Sequence, residues 1–169
     1  MARPPSEDLV LELPDEAATR RLGQALAGLL QPGDLVAFGG PLGVGKSCLA
    51  RALIRALPRA DGSLAADEEV PSPTFTLVQI YERRPAPVWH FDLFRLEAPE
   101  EALELGLEEA LAGAISLVEW PERLGPLLPA ERLNLSLGFA ETADARRASL
   151  QGHGHWQARL PALLAACHG

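Results

Sequence analysis

The stretch that decides the fold is DLVAFGGPLGVGKSCLARAL, residues 34–53. It opens with an apolar run at 34–38, which is typical of a parallel strand buried on both faces. It closes with an alanine- and leucine-rich run that predicts a helix over 47–57, ended by Pro58. Residues 40–47 lie between them and fit the pattern G-x-x-x-x-G-K-S/T. Strand, glycine loop and helix in this order predict a P-loop.

The residue types of this loop suit a phosphate group. Glycine backbones reach conformations closed to other residues and let amide hydrogens approach phosphate oxygens closely. The start of the following helix adds unpaired amides and the positive end of its dipole. Lys46 is expected to reach the β- and γ-phosphates, and Ser47 to offer its hydroxyl to Mg²⁺. The predicted nucleotide-binding residues of the loop are Gly40, Gly43, Val44, Gly45, Lys46, Ser47 and Cys48.

Lys46 is the only lysine of the chain, since the other 14 of its 15 basic residues are arginines. A compact ammonium is not interchangeable with a planar guanidinium, so this position is expected to need lysine specifically. The same count bears on the nucleotide. An N/T-K-x-D segment, the usual guanine-reading element, is impossible without a second lysine, which favours ATP over GTP.

A phosphoryl-transfer site also needs carboxylates to hold Mg²⁺ and to place a water molecule. Asp92 and Glu119 each follow an apolar strand, where the C-terminal ends of parallel strands would bring them beside the P-loop. Either could be the Walker B-like acid, and the residues alone do not rank them. The segment PSPTFT ends a long aperiodic loop and contains candidates for sensing the γ-phosphate: Ser72, Thr74 and Thr76.

Other polar and aromatic residues receive weaker predictions. His90 lies two residues before Asp92 on the same strand face and is predicted to be a packed, hydrogen-bonded histidine. Trp120 is interpreted as a core or pocket aromatic. Arg51, Arg55 and Arg59 recur every four residues on one helix, which predicts a solvated stripe or, alternatively, a face for docking a partner.

The rest of the chain predicts an α/β fold. Strands are expected at 8–14, 34–38, 76–82, 87–96, 114–120 and in RLNLSLGFA and RRASLQGHG. Helices are expected at 15–30, 47–57, 99–111 with a break at Gly106, and 155–167. Early alternation of strand and helix, followed by antiparallel strands, predicts a P-loop NTPase-like three-layer sandwich. Its mixed sheet should have a parallel centre and antiparallel late strands.

Length and composition narrow the function. The 169 residues suit one domain, so 1–169 is predicted to be a single P-loop ATPase domain. A net charge of −8 disfavours unaided binding of nucleic acid. The chain shows neither a signal-peptide pattern nor an apolar run of about 20 residues, and its two cysteines have no metal or disulfide spacing. A cytoplasmic protein without membrane contact is therefore expected.

Four motifs in order, GGPLGVGKS, SPTFTLV, HFDLFRL and LVEWPER, resemble the bacterial TsaE (YjeE) family. The resemblance runs from about residue 11 to residue 139 and leaves the C-terminal tail uncovered. It implies a cytoplasmic ATPase needed for N6-threonylcarbamoyladenosine in tRNAs that read codons starting with A. The implied partners are TsaD and TsaB, with tRNA reached only through that complex.

The resemblance also assigns roles. It implies that Lys46 holds phosphates, that Ser47 and Glu119 hold Mg²⁺, and that Asp92 lies near the γ-phosphate and orients water. Trp120 follows the metal-binding acid in the family as well. Two other functions remain alternatives: a small-molecule kinase using the same loop, and an ATP-sensing interaction module that does not hydrolyse.

Overall fold

A computed structural model describes residues 8–73 and 76–168, and the side chain of residue 168 is not described. The seven strands are β1 Leu9–Leu13, β2 Leu35–Gly39, β3 Val78–Tyr81, β4 Val88–Asp92, β5 Ile115–Glu119, β6 Arg132–Phe139 and β7 Arg146–His153. The helices are α1 Glu16–Ala27, α2 Lys46–Ala56, α3 Glu101–Glu104, α4 Leu107–Gly113 and α5 Trp156–His168. A 3-10 segment, Pro121–Leu127, follows β5 and bends at Gly125.

All seven strands form one sheet in the order β1-β7-β6-β2-β5-β4-β3. The four central strands, β6, β2, β5 and β4, run parallel to one another, whereas β7 and β3 pair antiparallel with the outer members of this group and β1 pairs antiparallel with β7. The prediction of a mixed sheet with a parallel centre and antiparallel late strands is confirmed. This arrangement aligns the C-terminal ends of β2, β4 and β5 at one sheet edge, where loops of α/β folds bind ligands.

The two faces of the sheet carry separate apolar cores, as the alternation of strand side chains requires. Val36 and Phe38 of β2 pack on one side with α1, α2 and α5. Leu35 and Ala37, the residues in between, pack on the other side with α3, α4 and the 3-10 segment. Helices on both faces make the predicted three-layer sandwich. β2 is fully buried through Phe38, which explains its uninterrupted apolar sequence.

Helix α1 is shorter than predicted. Asp15 caps its start, where the carboxylate accepts a hydrogen bond from the Ala18 amide at 2.8 Å. The prediction continued to residue 30, but the helix ends at Ala27 and Gly28 caps it. The Leu29 amide bonds the Leu26 carbonyl at 2.9 Å, a tighter turn than α-helical spacing. Leu30 is nevertheless buried, so apolar periodicity located the core residues and misplaced the boundary.

Strand β4 also ends earlier than the prediction of 87–96. The chain leaves the sheet after Asp92, whose carboxylate accepts a hydrogen bond from the Phe94 amide at 3.1 Å. The Leu93 amide instead bonds the Glu119 carbonyl at 3.2 Å. This side-chain turn competes with continuation of the strand, as short acidic side chains commonly do. The predicted break at Gly106 is confirmed: Gly106 has φ +95° and separates α3 from α4.

Arg51 and Arg55 of α2 and Arg59, which lies beyond the end of that helix, do not form the predicted solvated stripe. Arg55 Nε donates to the Glu68 carbonyl at 2.8 Å, and Arg59 donates to the Leu64 carbonyl. Arg83, almost fully buried at the end of the β3 hairpin, pairs with the Glu68 carboxylate. These contacts tie the aperiodic loop 58–70 to α2 and to β3. Arg51 makes none of these contacts and lines the two cavities beside the glycine loop that are described below.

Removing the Glu68 carboxylate is expected to destabilise the protein. Glu68→Ala leaves the Arg83 guanidinium buried without its charged partner, an arrangement that costs about 2 kcal/mol or more. Chemical denaturation monitored by circular dichroism would measure the loss. Glu69→Ala is the matched control because Glu69 is the exposed neighbour of Glu68. Equal free energies of unfolding for the two variants would contradict the role of Glu68.

The C-terminal helix completes the core rather than trailing from it. Trp156 and Leu163 of α5 are buried against the α1 side of the sheet, and Arg159 bonds both carboxylate oxygens of Asp34. No helix among the described residues is both long and apolar enough to cross a membrane.

Candidate nucleotide site

The loop between β2 and α2 has the backbone that its glycines predict. Gly40, Gly43 and Gly45 have φ values of +126°, +79° and +114°, a region that other residues rarely adopt. Gly45 caps α2, whose first residues are Lys46 and Ser47. Arg146 secures the loop from β7, because its Nε donates to the Val44 carbonyl at 2.8 Å. The loop therefore presents the N-terminus of an 11-residue helix to the open end of the sheet.

Gly40 has the least room for a side chain. A Cβ built there would collide with the Leu137 carbonyl oxygen and lie 3.0 Å from Val44 Cγ1. A Cβ on Gly43 would meet nothing within 4 Å. Among the three loop glycines Gly40, Gly43 and Gly45, Gly40 alone is required by close packing as well as by backbone conformation.

This difference gives a prediction for two single substitutions. Gly43→Ala should cost about 1 kcal/mol, the strain of a positive φ. Gly40→Ala should cost at least about 2 kcal/mol because a collision with the backbone adds to the same strain. Urea denaturation of both variants would compare the free energies of unfolding. An equal loss in the two variants would contradict the described loop conformation.

The loop of residues 40–47 forms a concave cradle, and Lys46 lies inside it and is 5% exposed. Its Nζ donates to the Gly40 carbonyl at 2.6 Å and lies 3.5 Å from the centre of the Trp120 ring. Burial lowers the pKa of Lys46 below its ordinary value, while the negative charges of Glu119, Glu122 and Asp92 oppose that shift. The ammonium therefore has a hydrogen-bond acceptor and an aromatic face, but it lacks a directly bonded anion among the described residues.

Both predicted acids, Asp92 and Glu119, lie beside the glycine loop. Asp92 and Glu119 are register partners at the ends of β4 and β5, and each is nearly buried. Ser47 Oγ donates to Glu119 Oε1 at 3.0 Å, a contact that links residues 72 positions apart. This contact favours Glu119 over Asp92 as the Walker B-like acid, because the hydroxyl and the carboxylate can share one hard cation.

The site is bordered by residues with unusual backbone. Leu77 and Trp120 are the two non-glycine residues with positive φ in the described ranges, at 66° and 61°. Leu77 bonds the Asp92 amide through its carbonyl, and Trp120 directly follows Glu119. Strain of this kind is common at functional sites. The Trp120 ring lies over Lys46 Nζ, and its centre is 4.9 Å from the centre of the Phe94 ring.

Two adjoining cavities open beside the loop. The smaller, of about 250 Å³, contains Lys46, Ser47, Asp92, Glu119 and Trp120. The larger, of about 630 Å³, lies between the start of α1 and the loop, and its wall includes Asp15, Thr19 and Arg146. Gly45, Cys48 and Arg51 belong to both walls. Burial and the neighbouring Glu16 raise the pKa of the Cys48 thiol, which favours its neutral form.

Most of the predicted site residues lie together around the glycine loop. Gly40, Gly43, Val44, Gly45 and the residues 46–48 surround the cradle together with Asp92, Glu119 and Trp120. Thr74 lies outside the described residues, so its proposed contact with the γ-phosphate stays a prediction. The Thr76 hydroxyl accepts a hydrogen bond from Gln79 Nε2 at 3.4 Å. Arg146 was missed because its contact with Val44 spans 102 positions and has no local signal.

The fold and this site define the protein as P-loop NTPase-like. The donors suit Mg²⁺ with phosphate: a hydroxyl, two carboxylates, a buried ammonium and a glycine cradle without room for a Cβ at Gly40. A structural neighbour with the same fold is YdiB from Bacillus subtilis. Its crystal structure superposes with a TM-score of 0.72 at 23% identity, covering 96% of this chain and 95% of that one.

The chain belongs to the TsaE family, whose profile is described as threonylcarbamoyl adenosine biosynthesis protein and matches residues 13–148. It is 39% identical over 125 residues to the tRNA threonylcarbamoyladenosine biosynthesis protein TsaE of Rickettsia bellii, covering 74% of this chain and 83% of the relative. The corresponding protein of Haemophilus influenzae is 31% identical over 150 residues, 85% and 89% of the two chains. The family role is tRNA threonylcarbamoyladenosine biosynthesis.

Proposed function

We propose that this protein binds ATP with Mg²⁺ and hydrolyses it in the course of threonylcarbamoyladenosine synthesis on tRNA. The observation that carries the proposal is the contact between Ser47 Oγ and Glu119 Oε1 at the start of α2, beside the buried Lys46. It joins the P-loop to an acid at the end of a parallel strand, the pairing that holds Mg²⁺ in P-loop NTPases.

In this proposal the two cavities hold different parts of the nucleotide. The triphosphate would lie in the smaller one, against the loop amides and Lys46, and the nucleoside in the larger one beside α1. A triphosphate would also give the Lys46 ammonium an anionic partner in place of the Gly40 carbonyl. Ser47 and Glu119 would hold Mg²⁺, which neutralises charge on the phosphate oxygens when it is bound.

Asp92 would take part in the hydrolytic step. A water oxygen forms a bond to the γ-phosphorus while the bond to the β,γ-bridging oxygen breaks, giving ADP and inorganic phosphate. One proton of the water stays on the phosphate and the other is released to solvent. The Asp92 carboxylate, in the wall of the same cavity, would accept a hydrogen bond from that water and orient it. Lys46 and the amides at the start of α2 would stabilise the charge that develops on the phosphates.

The partners in this proposal are TsaD and TsaB, with tRNA engaged only through their complex in the cytoplasm. Apolar side chains at the cavity mouth support a protein partner, because Leu42 is 72% exposed and Phe94 41% exposed. A partner covering them would exclude water from the phosphates and strengthen the electrostatic contacts there. Hydrolysis by the isolated protein should consequently be slow.

Phosphate release from ATP, measured with and without purified TsaD–TsaB from the same source, tests this function. We expect the complex to accelerate release by at least about tenfold, the effect expected when an open site becomes closed to water. Rapid turnover without the partners would contradict the dependence on a complex. Transfer of the γ-phosphate to a small acceptor would identify a kinase instead. An intact cellular function of a hydrolysis-deficient variant would identify a sensing module.

A further inference from the structure

His90 lies beside the proposed metal-binding acid. It is fully buried on β4, and its Nε2 lies 2.7 Å from Glu119 Oε2. The strand face explains the contact, since β4 and β5 are parallel neighbours and both side chains point toward the α2 side of the sheet. Sequence analysis predicted a packed, hydrogen-bonded histidine, and the structure makes its partner the acid itself.

The two oxygens of Glu119 therefore have separate contacts. Oε1 accepts a hydrogen bond from Ser47 Oγ at 3.0 Å, while Oε2 faces His90. A carboxylate bonded at both oxygens is restricted to one rotation about its last bond. Without the histidine donor, Oε2 would be buried with no described partner, and the group could turn away from Ser47.

The surroundings of the ring indicate which nitrogen donates. Nδ1 is buried and has no hydrogen-bond partner among residues 8–73 and 76–168. A proton on Nδ1 would be an unsatisfied buried donor, whereas a proton on Nε2 is bonded to a carboxylate. The geometry consequently favours the tautomer that carries its proton on Nε2.

We propose that His90 is a positioning residue, which through its Nε2 proton holds Glu119 with Oε1 directed at Ser47 and the magnesium position. The proposal rests on the proposed function, because the benefit of this orientation is tighter binding of Mg²⁺. His90 does not itself line the smaller cavity, and it meets the wall of that cavity at Glu119. Its effect should thus be confined to the part of ATP affinity that depends on magnesium.

Two matched substitutions separate this role from a merely structural one. The side-chain amide nitrogen of His90→Gln occupies the position of Nε2 and can still donate to Glu119. The amide of His90→Asn occupies the position of Nδ1 and falls short of the carboxylate. Calorimetry would measure the affinity for ATP in EDTA and again with excess Mg²⁺, and thermal denaturation would compare the stability of the two variants.

We expect ATP affinity in EDTA to be the same in both variants and in the unsubstituted protein. The gain in affinity on adding Mg²⁺ should fall at least about tenfold in His90→Asn and be restored in His90→Gln. An unchanged gain in His90→Asn would overturn this inference alone. Absence of any magnesium-dependent gain in the unsubstituted protein would overturn the proposed function as well.

Nitrogen NMR of the unsubstituted protein gives a readout that does not need the variants to fold. We expect the His90 signals of the tautomer protonated at Nε2. A proton on Nδ1 instead would overturn the inference.

Discussion

Substitution of Lys46 by alanine is expected to lower ATP affinity by roughly a hundredfold. A hydrogen bond to a charged group contributes about 1.5–3 kcal/mol, and the proposed phosphate contact of the buried Lys46 is expected at the upper end of that range. Isothermal titration calorimetry with and without Mg²⁺ would measure the affinity. Lys46→Arg should not restore it, because the space between the Gly40 carbonyl and the Trp120 ring fits an ammonium.

A control variant must remove the same charge away from the site. Arg147→Ala does so, since Arg147 is about half exposed and pairs with Glu12 at the β1–β7 edge. Its ATP affinity should stay within about twofold of the unsubstituted protein, as expected for a screened surface charge. Similar affinities for Lys46→Ala and the unsubstituted protein would refute the assignment of the cradle.

The second large effect concerns hydrolysis. Glu119→Gln keeps the shape of the side chain and an acceptor for Ser47, but it removes the charge that a divalent cation requires. We expect the rate of ATP hydrolysis in the presence of TsaD–TsaB to fall by about 10²–10³-fold. Binding of ATP in EDTA should persist, because the proposed phosphate contacts come from the loop and Lys46. Measured phosphate release and calorimetry would give the two quantities.

Two further variants, Glu122→Gln and Asp92→Asn, show whether the loss of hydrolysis in Glu119→Gln reflects a lost metal ligand. Glu122→Gln removes an equivalent charge near Lys46 from an exposed position and should leave hydrolysis within about twofold. Asp92→Asn should reduce hydrolysis while retaining the magnesium-dependent gain in ATP affinity. A Glu119→Gln variant that hydrolyses ATP at the unsubstituted rate would contradict its role as metal ligand.

Local sequence was sufficient for the centre of this fold. The run from Asp34 to Leu53 combines an uninterrupted apolar strand, the glycine pattern of the loop and a helix period, and all three point to one structure. The pairing of Asp92 with Glu119 was predictable too, because ends of parallel strands meet at one sheet edge. The sequence left open which of the two is the Walker B-like acid. That choice required the distance between Ser47 and Glu119, a contact that no local pattern encodes.

Long-range contacts account for the features that sequence analysis misread. The spacing of Arg55 and Arg59 is the same whether a helix faces solvent or, as here, a loop folded back onto it. His90 was predicted to be packed and hydrogen-bonded on the face of Asp92, but its partner lies on another strand and no local pattern identifies it. The ends of α1 and β4 depended on competing side-chain and turn hydrogen bonds, which periodicity does not report.

A crystal structure with Mg²⁺ and a non-hydrolysable ATP analogue tests the central claim most directly. The account predicts phosphates against the amides of residues 43–48, Lys46 Nζ moved from the Gly40 carbonyl to a phosphate oxygen, and the metal beside Ser47 and Glu119. A nucleotide held elsewhere, with Lys46 still bonded to Gly40, would contradict it.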